Sequence, residues 1–264
     1  MNFMESVVLG LLQGLTEFLP VSSSGHLILI RAVFGWNLEG SLSFDVLLHL
    51  ATLLAIIIFF WGDLSRLWID FRTEGFSNRS SKLVWAIVLG AIPAGLAGFF
   101  MGDWIEKIFR DPTHVAYALI GGSIVFFFAD LAHRWGSDGG ISLSRGFAIG
   151  VFQAFALIPG VSRSGVTISG GLFAGLSREE AIRFTFLLGI PTIAGAALKT
   201  LLDIFSSNLS ILSSLSFSFL LGFLAAFLSG LWAVKFLVRY LSTHNFNVFI
   251  VYRLLLAVVI LLFI

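Results

Sequence analysis

Glu17, His26 and Arg163 stand beside or within Pro/Gly breaks of otherwise apolar segments. Ionisable groups in such segments are costly and are functional candidates by default. Glu17 lies three residues before Pro20. His26 directly follows Ser22-Ser23-Ser24-Gly25, and Arg163 lies within Pro159-Gly160-Val161-Ser162-Arg163-Ser164-Gly165. This chemistry suits a phosphate. Gly25 and Gly165 let backbone approach a ligand, and the neighbouring serine hydroxyls (Ser22, Ser24, Ser162, Ser164) donate hydrogen bonds. Helices that start near these loops aim free N–H groups and a positive dipole end at an anion. Arg163 adds a planar bidentate donor. Glu17 has the wrong sign for holding phosphate, so it is expected to accept a proton, ligate a metal or orient His26. A serine, a histidine and a carboxylate beside an arginine can support nucleophilic attack on phosphorus. Gln13 lies one helical turn before Glu17 and shares its face; it either supports the site or packs.

The elements that position these residues belong in a membrane. Only 31 of the 264 residues are Asp, Glu, Lys or Arg; hydrophobic residues are 58%, Phe alone accounts for 29, and the mean hydropathy is +0.98. A soluble domain of this length could not hide so much apolar surface. The 27 Gly agree with membrane helices. With no Cys there is no disulfide framework, thiol nucleophile or Cys-based metal site. A net charge of +1 carries no signal for nucleic acid, and no nucleic-acid partner is expected. No cleavable signal peptide is expected, because the first apolar stretch lacks a basic leader and contains Gln13 and Glu17.

A spanning helix needs ~20 mostly apolar residues. Six stretches meet or approach that length, at 44–61, 83–101, 115–131, 182–202, 216–238 and 247–264. They are continuous rather than alternating, which favours helices over a barrel. Residues 3–35 and 146–175 are apolar too, but the two Pro/Gly breaks divide them into pieces too short to cross with comfort. Such pieces suit helical hairpins that enter the membrane and turn back.

The two broken segments resemble each other at an offset of 140 residues. Gly10/Gly150, Gln13/Gln153, Val21/Val161, Ser22/Ser162, Ser24/Ser164, Gly25/Gly165 and Ile28/Ile168 coincide without a gap. The match continues through Gly35/Gly175, Glu39/Glu179, Phe44/Phe184, Leu47/Leu187, Leu48/Leu188 and Thr52/Thr192. The reading is a duplication within one integral membrane domain, 1–264. The first repeat is 1–140 and the second 141–264, each a re-entrant hairpin plus three spans. Three spans per repeat forces opposite insertion. The predicted fold class is therefore an all-α polytopic membrane protein: an inverted repeat with six transmembrane helices and two re-entrant hairpins, whose loops meet near the midplane.

Basic residues orient this arrangement. Arg66, Arg72, Arg79, Lys82, Arg134, Arg145, Arg178, Arg183, Lys235 and Arg239 fall on one side; Arg31, Lys107 and Arg110 fall on the other with both termini. The positive-inside rule makes the richer side cytoplasmic, so both termini and the first Ser-rich loop face outward. Asp45 and His49 share a helix face, as supporting groups or as a structural pair. His114, His133 and His244 fall in loops and carry no signal. Lys199 and Arg253 lie near span ends, where snorkelling explains them.

The motifs resemble those of the undecaprenyl-diphosphate phosphatases, the bacitracin-resistance BacA/UppP type. The family's Glu/Gln-x-x-x-Glu motif matches Gln13-Gly14-Leu15-Thr16-Glu17 and runs on into Phe18-Leu19-Pro20-Val21-Ser22-Ser23-Ser24-Gly25-His26. Its Pro-Gly-x-Ser-Arg-Ser-x-x-Thr motif matches Pro159 through Thr167 at every fixed position, and the resemblance covers nearly the whole chain. Gln13 is the weaker of the two options at its position. The resemblance implies hydrolysis of undecaprenyl diphosphate to the monophosphate and inorganic phosphate, in the bacterial inner membrane, at a site open to the outer face. It implies catalytic roles for Glu17, Ser23, His26 and Arg163, with the diphosphate bound around Ser162, Arg163, Ser164 and Thr167. It also implies a divalent cation, Mg²⁺ or Ca²⁺, held through Glu17. Ser23, or a water held by His26 and Glu17, would be the nucleophile, and His26 would shuttle the proton. The partners expected are the polyprenyl diphosphate and the bilayer, with a homodimer allowed.

Two other classes compete. A transporter or flippase would suit the same anion site and inverted repeat but has no need of a Ser–His–Glu set. Acid-phosphatase-type lipid phosphatases share Ser-Gly-His, but need a histidine where this chain has Ser169, and are rejected.

Overall fold

Both breaks form where a proline forbids the residue before it from staying helical. Leu19 before Pro20 has φ −64° and ψ 140°, and Ile158 before Pro159 has φ −75° and ψ 116°. The computed structural model describes residues 2–36, 41–74, 79–109, 111–133, 139–207 and 217–263. Glu39, Arg110 and Arg134, used above for the repeat and the orientation, lie outside the described residues.

The first broken segment is α1 (Phe3–Phe18) and α2 (Ser23–Phe34). The second is α7 (Leu143–Ala154), a 3-10 turn (Phe155–Leu157) and α8 (Arg163–Phe173). Between them run α3 (Ser41–Phe59), α4 (Trp61–Glu74), α5 (Arg79–Phe109) and α6 (Pro112–His133). After them come α9 (Arg178–Ser207), α10 (Phe217–Leu241) and α11 (Asn247–Phe263). The described residues contain no strand.

The protein is thus an all-helical membrane protein. Four helices are long and apolar enough to cross a bilayer: those at 81–105, 112–133, 178–202 and 217–241. The expected span at 44–61 differs, because its helix bends by 68° at Phe60 into α4, and the pair counts as a fifth only when taken together. The stretch expected as a charged loop from residue 62 is therefore helical to Glu74. Trp61, Trp68 and Ile69 are exposed on α4, and the Arg72 guanidinium lies over the Trp68 ring, as in a helix lying at a membrane interface. The last predicted span, α11, has 17 helical residues and falls short of the same length.

Small residues set the packing. The short helix α1 lies along α10, and α7 lies along α5. A Cβ on Gly10 would come within 2.3 Å of the Gly222 carbonyl oxygen, and one on Gly150 within 2.2 Å of the Gly90 carbonyl oxygen. Apolar solvent drives no helix association inside a bilayer, so backbone contact at glycines supplies the dispersion energy instead. α3 packs against both α10 and α9, α9 also meets α5, and α11 packs against α6. Phe18 of α1 meets Phe186 of α9 edge-on at 5.8 Å, anchoring the end of α1 next to Glu17.

Candidate active site

Ser22 and Ser162 are the only non-glycine residues with positive φ among the described residues, at 74° and 78°. Such backbone costs about 1–3 kcal/mol per residue and persists where the surroundings over-determine it. Each serine caps the helix that follows: Ser22 Oγ accepts from the Gly25 amide and Ser162 Oγ from the Gly165 amide, both at 3.4 Å. Each also lies close to a second hydroxyl, Ser24 at 3.4 Å and Ser164 at 3.3 Å. Ser22 Oγ further accepts from the Gly160 amide at 3.0 Å, so the two loops touch directly. The glycines have a packing reason as well. A Cβ on Gly25 would meet Val115 at 3.1 Å, and one on Gly165 would meet the Phe126 ring at 2.0 Å. The Gly25 and Gly165 amides are thus engaged by the caps, and both glycines pack against α6.

Glu17 is the hub of the polar groups. Its Oε1 accepts from Arg163 Nη2 at 2.9 Å. Its Oε2 accepts from Ser23 Oγ at 2.7 Å and from Gln13 Nε2 at 3.1 Å. His49 of α3 lies 3.9 Å from Oε2. The carboxylate is therefore buried yet surrounded by donors, which is the condition for a buried charge to persist. Gln153, at the position equivalent to Gln13, has no partner for either side-chain atom, because residue 157 is Leu where the first loop has Glu17.

His26 occupies a separate branch. Its Nδ1 lies 2.8 Å from the Ser22 carbonyl oxygen, and its Nε2 lies 2.7 Å from the Tyr252 hydroxyl. A carbonyl can only accept, so Nδ1 carries a proton and donates to Ser22, while Nε2 shares its hydrogen bond with the Tyr252 hydroxyl. The expectation that Glu17 orients His26 is corrected: Glu17 holds Ser23, and both ring nitrogens of His26 are committed elsewhere. Ser24 is exposed and Ser23 half-buried, whereas Ser164 and Thr167 are fully buried. Arg163 Nη1 and Thr167 Oγ1, one turn apart on α8, have no hydrogen-bond partner in the protein.

The family model for bacitracin resistance protein BacA matches residues 6–259. The chain belongs to the BacA family. Among its relatives, the undecaprenyl-diphosphatase of Thermomicrobium roseum is 41% identical, with 99% of this chain and 98% of that one aligned. The undecaprenyl-diphosphatase of Elusimicrobium minutum is also 41% identical over the same shares, and that of Thermodesulfovibrio yellowstonii is 43% identical over 98% and 96%.

Three further residues at this candidate site were not read from the sequence as functional. Gly189 of α9 is one: a Cβ there would lie 2.1 Å from Arg163 Nη1, so its bareness makes room for the guanidinium. Its position is that of His49 plus 140, and both flank the Glu17–Arg163 pair from equivalent places. Tyr252 is a second, 44% exposed and stacked on His26 at 5.7 Å between ring centroids. Arg253 is a third. The reading of Arg253 as a snorkelling residue is overturned, since its side chain is fully buried against both loops.

Other charges fall away from the site. Arg31, counted as an outer loop cation, is buried in α2 and pairs bidentately with Asp45 at 2.8 and 2.5 Å, which makes Asp45 its structural partner. Arg178 pairs with Asp130 at 2.7 Å, and the other Asp130 oxygen accepts from the Phe246 amide, tying α9, α6 and the start of α11 together. His133, expected in a loop, ends α6 beside that pair. Lys199 reaches Asp103 at 3.3 Å at the surface.

The donor set bears on the expected cation. No cluster of three His, Asp or Glu side chains exists among the described residues. A divalent cation held through the single carboxylate of Glu17, Mg²⁺ or Ca²⁺, would therefore take its other positions from waters and substrate phosphate oxygens.

Proposed function

We propose that this protein hydrolyses undecaprenyl diphosphate to undecaprenyl phosphate and inorganic phosphate, recycling the lipid carrier of cell-wall precursors. The observation that carries the reading is Glu17: one buried carboxylate receives the Ser23 hydroxyl and the Arg163 guanidinium at hydrogen-bond distance. That arrangement supports Ser23 as the nucleophile. Ser23 Oγ forms a bond to the terminal phosphorus while its proton passes to Glu17 Oε2. The bridging P–O bond breaks, and its electron pair leaves with undecaprenyl phosphate, which takes the proton from Glu17. Water then attacks the phosphoserine, gives a proton to Glu17, and Ser23 leaves and recovers it. Arg163 holds charge on the transferring phosphoryl group, with its unpartnered Nη1 and the Thr167 hydroxyl as the donors still available. Mg²⁺ held through Glu17 would neutralise phosphate charge. His26 is held by the Ser22 carbonyl and the Tyr252 hydroxyl, apart from Ser23.

The architecture we propose is the inverted repeat of 1–140 and 141–264, with re-entrant hairpins α1–α2 and α7–α8. The matched geometry of Ser22 and Ser162 supports it, as do the parallel pairings of α1 with α10 and α7 with α5. We place the protein in the bacterial inner membrane, with the site and both termini on the outer side, on the distribution of Lys and Arg. The names of the relatives are those of an enzyme, so the transport reading is set aside. Phosphate release by purified protein from a polyprenyl diphosphate in detergent tests the function. Release abolished by EDTA and restored by Mg²⁺ is expected; absence of release under all conditions refutes it.

A further inference from the structure

Arg253 is fully buried, and its recorded partners are neutral. Nε donates to Ser123 Oγ at 3.1 Å. Nη1 donates to the Pro20 carbonyl at 3.3 Å, and Nη2 to the Gly160 carbonyl at 2.9 Å. Nη2 also reaches the carbonyls of Leu119 at 3.0 Å and Ala118 at 3.4 Å, and the guanidinium lies 4.7 Å over the Phe126 ring. Pro20 belongs to the first loop and Gly160 to the second. One rigid fork from α11 thus spans both loops and fastens them to α6.

A buried arginine with no carboxylate partner among the described residues is expensive. The five donors of a guanidinium, fixed in one plane, can hold carbonyls from separate segments at a set spacing, which an ammonium cannot. The spacing matters here because the reacting groups come from different loops: Glu17 and Ser23 flank the first, Arg163 the second. We infer that Arg253 is a positioning residue that sets the distance between the two loops, and so the alignment of Arg163 with the Glu17–Ser23 pair. The inference rests on the phosphatase reading above.

Gly122 supplies an independent handle. A Cβ on it would lie 2.3 Å from Arg253 Nη2 and 2.9 Å from the Val161 carbonyl oxygen. Gly122→Ala therefore pushes the guanidinium from Gly160 and also presses on the Val161 carbonyl of the second loop, with the Arg253 side chain still present. Its neighbour Gly121 faces open space, and Gly121→Ala is the control.

The experiment measures kcat and KM for a polyprenyl diphosphate with purified wild type, Gly121→Ala, Gly122→Ala, Arg253→Lys, Arg253→Met and the Gly122→Ala/Arg253→Met double variant, beside thermal unfolding of each. Displacement of reacting groups by ~1 Å costs on the order of 100-fold, so kcat is expected to fall about 10- to 100-fold in Gly122→Ala and in both Arg253 variants. KM should change less than about threefold, and Gly121→Ala should match wild type. The double variant should be at least as impaired as Arg253→Met, because the Val161 contact of the new methyl remains. Folded Gly122→Ala and Arg253→Lys proteins with near wild-type kcat would overturn the inference, as would a loss confined to KM. Should Arg253→Met fail to fold, Arg253→Lys decides, because lysine keeps the charge but cannot hold carbonyls of both loops at a set spacing. An inactive wild type would instead refute the phosphatase reading.

Discussion

Arg163 donates to Glu17 across 2.9 Å of space and 146 residues of chain. The pair is the shortest statement of how this fold works. Each charge lies at a break in its own short-helix pair, and Glu17 has only the neutral donors Gln13 and Ser23 in its own segment. The turn after Pro20 brings Ser23 to the carboxylate, and the meeting of the two loops adds the opposite charge of Arg163.

Arg163→Lys should lose about 100-fold or more in kcat while the protein stays folded. Lysine keeps the charge but loses the planar fork that can hold Glu17 and a phosphate together, and single preorganised donors contribute on the order of 100- to 1,000-fold. Phosphate release and thermal unfolding measured on the same preparation check this; near-normal turnover would show that the guanidinium is not needed.

Ser23→Ala should abolish turnover, and brief incubation of wild type with labelled substrate should leave a phosphoryl group on Ser23. Glu17→Gln should slow formation of that adduct, because the base that accepts the Ser23 proton is gone. An active Ser23→Ala protein would shift the nucleophile to water.

Gly189→Ala should resemble a weak Arg163 variant. The added methyl would lie 2.1 Å from Arg163 Nη1, so the guanidinium must move and its contact with Glu17 weakens. A fall in kcat/KM of about 10- to 100-fold is expected, on the scale of misplacing a reacting group. Unchanged kinetics would mean that Arg163 has a second placement that works equally well.

Tyr252→Phe should cost about tenfold or less, the scale of one net hydrogen bond. His26 keeps its anchor on the Ser22 carbonyl when the hydroxyl is removed. Steady-state kinetics of Tyr252→Phe beside His26→Ala separates orientation from a direct role. A tyrosine variant as damaged as the histidine variant would assign Tyr252 the larger part.

Gly150→Ala should lower thermal stability, because the new methyl would meet the Gly90 carbonyl at 2.2 Å. Overpacking of this kind costs about 1–3 kcal/mol. Gly95→Ala, which meets nothing within 4 Å, should leave the melting temperature unchanged. Equal melting temperatures for the two variants would argue that α7 and α5 are free to separate.

The membrane class, the two breaks and the core of the site were legible in sequence because they follow from local rules. Apolar run length sets the helices, a proline ends the helix before it, and a rare charge in an apolar run stands out. Glu17 and Arg163 stood out that way, Ser23 came with the family resemblance, and the offset of 140 residues pairs Ser22 with Ser162, which adopt one conformation. Local rules failed where a residue's meaning depends on what lies opposite. Arg253 looks like a helix-end cation until four carbonyls and a hydroxyl close around it. Gly189 is one glycine among 27 until Arg163 fills the space beside it. His26 looked like the partner of Glu17 because they are near in sequence, yet the turn at Ser22 sends the imidazole to Tyr252, 226 residues away. Sequence by itself determined which groups this protein keeps inside the membrane. The tertiary structure decided which of them touch, because a charge in a low-dielectric interior takes its role from the few polar atoms within hydrogen-bond reach, and those come from distant parts of the chain.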